Sequence, residues 1–223
     1  MLRALEEAGY KTPTPIQAQA LRPAMEGRDL CGIAQTGTGK TAAFALPILH
    51  RLAQNPRKAI RRGCRVLVLS PTRELANQIA ESFSDYGRHL SFTNTVVFGG
   101  VTISRQEKAL ANGVDILVAT PGRLIDLIEQ GFVNLSMIEI LVLDEADQMM
   151  DLGFIHALKK IVRMLPKKRQ TLFFSATMPV AIRELASQFL LDPKTVSVKP
   201  AATTAERVDQ YVTFATSRRS RRC

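Results

Sequence analysis

Eight consecutive residues near the start of the chain have the residue types of a phosphate-binding loop. They are Ala34, Gln35, Thr36, Gly37, Thr38, Gly39, Lys40 and Thr41. Gly37 and Gly39 let the backbone curl so that successive N–H groups point inward, towards a bound anion. The Lys40 ammonium can reach the β- and γ-phosphates of a nucleotide, and the Thr41 hydroxyl can hold Mg²⁺. Loops of this kind usually open with glycine, and this one opens with alanine.

The residues on either side place this loop between a strand and a helix. The apolar run 30–33 predicts a buried strand before it, and residues 42–52 predict a helix after it. A helix that starts at Lys40 adds the positive end of its dipole to the phosphate site. A glycine-rich turn before an ordinary helix is the alternative. Strand, loop, Lys-Thr pair and helix all stand in register, which favours the phosphate site.

Two adjacent acidic residues, Asp144 and Glu145, follow the apolar run 138–143 and form a second candidate site. A buried strand delivers Asp144 to the end of the sheet, where it can hold Mg²⁺ directly or through water. Glu145 can then orient and deprotonate an attacking water, which suits hydrolysis better than transfer to a bound acceptor. An acidic helix start, favoured by the helix dipole, is the alternative. With Lys40 and Thr41 upstream, both halves of a Mg-ATP site are present.

Apolar strands alternate with amphipathic helices along the chain, which predicts an α/β domain. Such alternation favours a largely parallel sheet, here of about seven strands, with helices on both faces. The predicted strands are 30–33, 65–70, 95–98, 115–119, 138–143, 170–174 and 195–198. The predicted helices are 1–8, 15–25, 42–52, one beginning at 71–74, 103–112, 124–130, 155–165 and one opening at 179. We expect this domain to occupy residues 1–200, with a linker and basic tail over 201–223.

The composition bounds the class of protein. The chain has 223 residues, 46% of them apolar, which is enough for a substantial core. No apolar run approaches the ~18 residues of a membrane span, and the first residues do not resemble a signal peptide. Cys31, Cys64 and Cys223 are scattered without metal-ligand spacing, which favours a reducing compartment. We therefore expect a cytoplasmic protein that makes no membrane contact.

The formal net charge is +10, and it is unevenly distributed. One basic cluster contains Arg57, Lys58, Arg61, Arg62 and Arg65, and the tail contains Arg218, Arg219, Arg221 and Arg222. A basic chain favours polyanions such as nucleic acid. A solvated loop and tail explain the two clusters equally well, so charge alone leaves nucleic-acid binding open.

The unusual polar clusters almost all follow the predicted strands. They are the loops 37–41, 71–73, 99–100, 120–123, 144–147 and 175–177. In an open α/β sheet, ligands bind at the carboxyl ends of the strands. The sequence therefore predicts one functional edge of the sheet.

In this order the clusters resemble the first-domain motifs of DEAD-box ATP-dependent RNA helicases. The matching stretches are 34–41, Pro71-Thr72-Arg73-Glu74-Leu75, Gly99-Gly100, Thr120-Pro121-Gly122-Arg123, Asp144-Glu145-Ala146-Asp147 and Ser175-Ala176-Thr177. Residues 10–17 resemble that family's adenine-reading motif, and the similarity spans about residues 9–200. The overall sequence is most similar to that of bacterial RhlE-type members. The resemblance implies a single RecA-like P-loop domain that uses ATP and Mg²⁺.

For the adenine site, the resemblance implies three residues, Tyr10, Thr12 and Gln17. Gln17 would read the adenine edge through its amide, because one donor and one acceptor match adenine and not guanine. Tyr10 would stack beside the base. Gln17 also has a structural explanation, since Thr14 is a good N-cap and Gln17 stands where a capping box places glutamine. The two roles are compatible.

For the chemistry, the resemblance implies that Lys40 contacts the phosphates, that Thr41 and Asp144 hold Mg²⁺, and that Glu145 is the base. Asp147, Ser175 and Thr177 would couple hydrolysis to the RNA side, although helix capping before Pro179 explains the latter two equally well. The implied RNA-binding residues are Pro71, Thr72, Arg73, Gly99, Gly100, Thr120, Pro121, Gly122 and Arg123. Backbone N–H groups and arginines there contact phosphates without reading bases, which predicts sequence-independent, salt-dependent binding. Ordinary turn chemistry is the alternative for the glycine-containing stretches.

The same family has a second helicase domain, and we expect this chain to be an isolated first domain that lacks it. Because arginines from that domain complete the ATP site, we expect a monomer that binds ATP weakly and hydrolyses it very poorly alone. Two other functions remain open: a non-enzymatic truncated module that binds RNA or protein, and a DNA-directed translocase of the same superfamily. A small-molecule kinase is disfavoured, because Asp144 and Glu145 suit water as the acceptor.

Overall fold

Seven parallel strands form one sheet at the centre of the computed structural model, which describes residues 1–198. The strands are β1 (Leu30–Ile33), β2 (Cys64–Leu69), β3 (Asn94–Val97), β4 (Val114–Ala119), β5 (Ile140–Leu143), β6 (Gln170–Ser175) and β7 (Lys194–Ser197). Every neighbouring pair is parallel, and the order across the sheet is β3-β4-β2-β5-β6-β1-β7. The predicted parallel α/β sheet is confirmed, and the predicted linker and basic tail over 201–223 lie outside the described residues.

Helices cover both faces of the sheet, as predicted. They are α1 (Leu2–Glu7), α2 (Pro15–Met25), α3 (Lys40–Gln54), α4 (Arg73–Tyr86), α5 (Ile103–Leu110), α6 (Pro121–Glu129), α7 (Ala146–Asp151), α8 (Ile155–Met164) and α9 (Val180–Phe189). The buried side chains of α2, α3 and α4 form one apolar layer, and those of α5 to α9 form the other.

The central strands alternate their side chains between the two layers. In β2, Val66 and Val68 belong to the layer of α2 to α4, while Leu67 and Leu69 belong to the layer of α5 to α9. All six residues of β2 are buried, which explains why residues 66–69 are continuously apolar rather than alternating. The apolar run therefore reports a strand covered on both faces.

Two helix starts lie at the predicted RNA-binding residues, and one of them, that of α6, begins earlier than the sequence predicts. α6 begins at Pro121 rather than Leu124, because Thr120 is its N-cap and proline suits the first helical position. α4 begins at Arg73, where Thr72 Oγ1 caps the helix by accepting from Leu75 N at 3.2 Å. The start of α4 agrees with the prediction, whereas residues 121–123, predicted to precede the helix, form the first turn of α6. Both helix starts have free N–H groups that attract anions.

The strand order divides the functional edge into two halves. The loops after β3, β4 and β2 contain the predicted RNA-binding residues, and these three strands are neighbours. The loops after β6 and β1, also neighbours, contain the Ser-Ala-Thr stretch and the phosphate loop. β5, which delivers Asp144 and Glu145, stands between the two halves.

Within residues 1–198, every helix is too short or too polar to cross a bilayer.

Candidate functional site

The phosphate loop leaves β1 at Ala34, whose N–H donates to the Ser175 carbonyl at 3.0 Å. Gly37 and Gly39 adopt positive φ values of 80° and 92°, in the left-handed region where glycine is favoured. Gly39 is the N-cap of α3, so the helix begins at Lys40 as the sequence predicts. The loop therefore has the curled backbone and the helix start of an anion cradle.

Lys40 is the clearest sign that this cradle binds an anion. Its side chain is 5% exposed, with Nζ 3.9 Å from Asp144 Oδ1 and 4.0 Å from Glu145 Oε1. Among the described residues, Nζ has no hydrogen-bond partner. A buried ammonium without hydrogen bonds is costly, and oxygens of a bound phosphate would satisfy it. The residues present therefore fit a nucleotide with its metal ion.

Asp144 lies directly after β5 and is 2% exposed. Burial raises the pKa of its carboxyl to about 6, although the Lys40 ammonium opposes that rise. The Glu145 N–H donates to Asp144 Oδ1 at 3.1 Å, which fixes the orientation of the carboxylate. A buried, oriented carboxylate beside a lysine is a suitable ligand for a divalent cation.

Glu145 occupies a strained backbone position. It is the N-cap of α7, with φ 54° and ψ 53°, a left-handed conformation that is unfavourable for a residue with a side chain. Its Oε1 accepts a hydrogen bond from Thr36 Oγ1 of the phosphate loop at 2.8 Å. The helix-start alternative is thus correct as a description of the backbone, and it leaves the carboxylate free to face the phosphate loop. Strain of this kind concentrates at functional sites.

Asp147 and Thr177 join the loops after β5 and β6. Asp147 Oδ2 accepts from both the backbone N–H and the hydroxyl of Thr177, each at 2.9 Å. Burial alone would raise the pKa of Asp147, but the hydrogen bonds to its carboxylate, those from Thr177 among them, outweigh burial and lower the pKa. Ser175 is fully buried at the end of β6. The predicted coupling residues are therefore brought together beside the acidic pair.

Gln17 forms the predicted capping box and also contacts the phosphate loop. Its Oε1 accepts from the Thr14 N–H at 2.9 Å, which is the glutamine half of the capping box. Its Nε2 donates to the Gly39 carbonyl at 3.1 Å. One Nε2 hydrogen and one Oε1 lone pair remain for a ligand. The structure brings Tyr10 against Tyr86 of α4, and Thr12 is exposed between Tyr10 and Gln17.

The predicted RNA-binding residues line one groove at the β3-β4-β2 half of the edge. The groove is lined by Pro71, Thr72, Arg73, Glu74, Gly99, Gly100, Thr120, Gly122, Arg123 and Phe154. Pro121 is buried in the first turn of α6. Gly100 has φ 82°, and a Cβ there would lie 2.6 Å from Arg73 Nη1, so the glycine lets Arg73 approach.

Arg123 is held by its neighbours more tightly than the sequence suggested. Its Nη1 donates to the Val101 carbonyl at 2.9 Å and to Gln106 Oε1 at 3.1 Å, and its side chain is 11% exposed. It therefore fixes the loop after β3 onto α6 as well as facing the groove. Phe154 also lines the groove, although sequence reasoning missed it. It stands in the connection between α7 and α8, far from any polar cluster, and no signal in the sequence singles it out.

The basic cluster of residues 57–65 lies away from this edge. Arg65 is 1% exposed, and its Nε donates to Glu139 Oε1 at 2.7 Å. Arg57 contacts the same Glu139 oxygen at 2.8 Å, and Arg62 Nη1 donates to the Gly131 carbonyl at 3.0 Å. Arg65 is the second residue of β2, so this cluster is at the amino ends of the strands and mainly fastens a loop.

Lys40 is buried at the end of a curled loop, beside two carboxylates at the edge of a parallel sheet, and among residues 1–198 it has no hydrogen-bond partner. This arrangement is that of a P-loop nucleotide-binding domain. A family model for DEAD/DEAH box helicases matches residues 14–185. The chain belongs to that family, and the predicted membership is confirmed.

Bacterial RNA helicases are among the relatives of the chain. It is 44% identical to the ATP-dependent RNA helicase DeaD of Buchnera aphidicola subsp. Acyrthosiphon pisum over 211 residues, which covers 94% of this chain and 34% of that protein. It is 45% identical to the ATP-dependent RNA helicase CshA of Limosilactobacillus reuteri, over 95% of this chain and 41% of that protein. The chain thus spans about a third to two fifths of the length of these relatives. The finer resemblance to RhlE-type members stays a prediction.

Solved structures agree with the fold. A DEAD box protein from the hyperthermophile Methanococcus jannaschii superimposes with a TM-score of 0.82 at 36% identity, over 89% of this chain and 53% of that chain. A hypothetical ATP-dependent RNA helicase from Sulfolobus tokodaii gives a TM-score of 0.80 at 36% identity, over 88% and 56%. The predicted RecA-like α/β fold is confirmed.

Proposed function

We propose that this chain is the Mg-ATP-binding domain of an ATP-dependent RNA helicase. The observation that carries the proposal is the buried Lys40 ammonium, which has no hydrogen-bond partner among the described residues and lies within 4.0 Å of two carboxylate groups. The names of the relatives, ATP-dependent RNA helicases, support the same activity for the protein to which this domain belongs.

The phosphates would be held by the backbone N–H groups of residues 35–41 and by Lys40 Nζ. The Thr41 hydroxyl and the Asp144 carboxylate would hold Mg²⁺. The metal ion, when bound, neutralises charge on the β- and γ-phosphates. Asp144 is buried and oriented by the Glu145 N–H, so little reorganisation is needed for it to act as a ligand.

Glu145 would act on the attacking water. Its carboxylate is fixed by the helix start of α7 and held near the loop by Thr36 at 2.8 Å. From there it would accept the proton that the water loses during hydrolysis. The strained backbone at Glu145 gives its side chain a direction that a regular helical conformation would not allow.

The base of the nucleotide would lie against the segment from Tyr10 to Gln17. Gln17 is held at the loop by Gly39 and still has one donor and one acceptor for adenine. Tyr10 remains 42% exposed, so part of its ring is free for the base. Adenine specificity is therefore a property that we assign to Gln17 and Tyr10 together.

RNA would lie in the groove after β3, β4 and β2. Two helix starts and the turn at Gly99 and Gly100 supply backbone N–H groups, and Arg73 supplies charge. Such contacts position a phosphate backbone without reading bases. A second helicase domain would complete both sites, and the cytoplasmic location stays a prediction.

Binding of a fluorescent ATP analogue to the 223-residue chain tests the nucleotide site. We expect saturable, Mg²⁺-dependent binding that is weakened at least tenfold in Lys40→Ala, because that variant loses a charged phosphate contact. Lys58→Ala removes an exposed lysine from the opposite end of the sheet and is the matched control. Equal binding by the wild type and Lys40→Ala would contradict the proposal.

Measurements of ATP hydrolysis and of RNA binding test the other parts of the proposed function. In the whole protein, Glu145→Gln should keep ATP binding and abolish RNA-stimulated hydrolysis, because the amide cannot accept the proton. RNA binding by the chain should fall steeply with salt, with little dependence on sequence. Stronger stimulation by single-stranded DNA than by RNA would instead indicate a DNA-directed translocase.

A further inference from the structure

The segment that would contact the base is fastened to α4 by a pair of tyrosines. Tyr10 Oη and Tyr86 Oη are 2.8 Å apart, and the two rings meet edge to face with centroids 5.7 Å apart and an interplanar angle of 88°. Tyr86 is 8% exposed and Tyr10 is 42% exposed. Tyr86 is thus the buried anchor of the pair, and Tyr10 is the member that a ligand can reach.

α1 reinforces this attachment at the same end of α4. The Glu7 carboxylate oxygens lie 2.9 and 3.1 Å from His89 Nε2, and Arg88 Nη1 lies 3.7 Å from Glu7. Gly9 follows α1 with φ 77°, and the Tyr10 N–H donates to the Leu5 carbonyl at 2.9 Å. The chain therefore enters the base-binding segment in a direction that α1 and α4 fix together.

The far end of the segment is fastened to the phosphate loop by Gln17 and Gly39, at 3.1 Å. Between Tyr10 and Gln17 the segment contains Pro13 and Pro15, whose rings restrict φ and stiffen the backbone. A stiff segment with two fixed ends transmits a change at one end to the side chains along it. The contact with Tyr86 therefore fixes the position of the Tyr10 side chain, although that side chain is partly exposed.

The core side of Tyr86 is rigid. Phe83, one turn earlier on α4, packs on Phe44 of α3 with ring centroids 6.2 Å apart, and α3 begins at Lys40. Burial raises the pKa of the Tyr86 hydroxyl above its ordinary range, and the hydrogen bond with Tyr10 adds to that rise. The hydroxyl therefore stays protonated, and it is held at a fixed place relative to the phosphate loop.

We propose that Tyr86 is a positioning residue for nucleotide binding: by holding Tyr10, it sets the affinity of the site for the adenine base. The inference rests on the proposed ATP-binding function. Tyr86 lies at the end of α4 opposite to Arg73, about 20 Å away along a helix of this length. Its effect is therefore confined to the base and does not extend to the RNA groove.

Tyr86→Phe tests the inference because it removes the hydroxyl and keeps the ring. We expect ATP binding to the 223-residue chain to weaken about three- to tenfold, since Tyr10 must then be ordered when the base binds. Binding of inorganic tripolyphosphate, which has no base, should be unchanged, and so should RNA binding. Ser84→Ala removes an exposed hydroxyl from the same helix, one that donates to the Ala80 carbonyl and does not contact Tyr86, and it should change the binding of neither ligand.

Tyr10→Phe examines the same hydroxyl pair from its exposed side, where the substitution does not disturb the core. It should weaken ATP binding to a similar extent, and the double variant Tyr10→Phe/Tyr86→Phe should be no weaker than either single variant. Equal ATP affinities of Tyr86→Phe and Ser84→Ala would overturn the inference, as would an equal loss of ATP and tripolyphosphate binding by Tyr86→Phe. Absence of ATP binding by the wild type would overturn the proposed function itself.

Discussion

The side-chain amide of Gln17 donates a hydrogen bond to the backbone carbonyl of Gly39 at 3.1 Å, which joins the base-binding segment to the phosphate loop. The contact leaves no room for a side chain at Gly39, because a Cβ there would lie 2.4 Å from Gln17 Nε2. Gln17 is only 4% exposed, so it cannot readily move aside. The two halves of the proposed nucleotide site thus form one packed unit.

Replacing Gly39 by alanine should therefore damage both stability and ATP binding. Gly37→Ala is the matched control, because Gly37 also has positive φ, but a Cβ on Gly37 would meet no heavy atom within 4 Å. Both variants should lose about 1–2 kcal/mol of unfolding free energy through backbone strain. Gly39→Ala should lose more, and also lose ATP affinity, because it displaces Gln17. Urea unfolding and nucleotide titration measure the two effects, and equal losses in the two variants would contradict the packing argument.

The two glycines after β3 allow a similar comparison in the RNA groove. Gly100 has φ 82°, and a Cβ would lie 2.6 Å from Arg73 Nη1, whereas a Cβ on Gly99 would meet nothing within 4 Å. Gly100→Ala should weaken RNA binding about tenfold or more, because Arg73 is pushed away from a phosphate contact that contributes on this order. ATP binding should be unchanged. Gly99→Ala should retain most of the RNA affinity, and fluorescence anisotropy with a short single-stranded RNA separates the two variants.

The polar loops could be predicted from the sequence, but the strand order could not. Residues 66–69 of β2 and all of β5 are continuously apolar, because both strands are covered on two faces, so neither sequence specifies its neighbour. The structure places β1 between β6 and β7, and the Ala34 N–H then bonds to the Ser175 carbonyl. Only this order shows that the loops proposed to bind the nucleotide and those proposed to bind RNA occupy separate halves of one edge.

Contacts between distant side chains also lay beyond sequence reasoning. In the sequence, Arg65 is simply one charge in a basic cluster. In the structure it donates to Glu139, 74 residues away, in a partly buried ion pair. Tyr10 and Tyr86 are 76 residues apart, and the residues that surround each tyrosine in the sequence do not predict their contact. The periodicity of a helix or strand indicates which of its faces is buried, but it does not indicate which residues of other elements contact that face.

The Arg65–Glu139 pair predicts a pH dependence of stability. Burial alone would raise the pKa of the Glu139 carboxyl, but hydrogen bonds from Arg65 and Arg57 outweigh it and lower the pKa below 4.5. Because the pKa is lower in the folded than in the unfolded state, the stabilisation is complete above about pH 4.5 and is lost as the pH falls through the folded-state value. Glu139→Gln should reduce the loss of stability between about pH 6 and about pH 3.

Urea unfolding at the two pH values measures this difference. Glu81→Gln, which changes an exposed glutamate on α4, is the matched control and should keep the pH dependence of the wild type. At neutral pH, Glu139→Gln should lower the unfolding free energy by about 1–3 kcal/mol, because the buried Arg65 then keeps only the more distant Asp115 carboxylate, at 3.7 Å, as a charged partner. Identical pH profiles of the two variants would show that the pair does not contribute.

The left-handed backbone conformation of Glu145 predicts that glycine is more stable than alanine at this position. With φ 54° and ψ 53°, the residue has a conformation that costs about 1–2 kcal/mol in the presence of a Cβ. Glu145→Gly should therefore be more stable than Glu145→Ala by about 1 kcal/mol, and the preference for glycine over alanine at an N-cap acts in the same direction. At Gln148, an exposed position inside α7, the order should reverse, with alanine more stable than glycine by about 1 kcal/mol. Thermal and urea unfolding of the four variants measure both differences. The same order at both positions would show that the backbone of Glu145 is relaxed, whereas the reversal would show that it is strained.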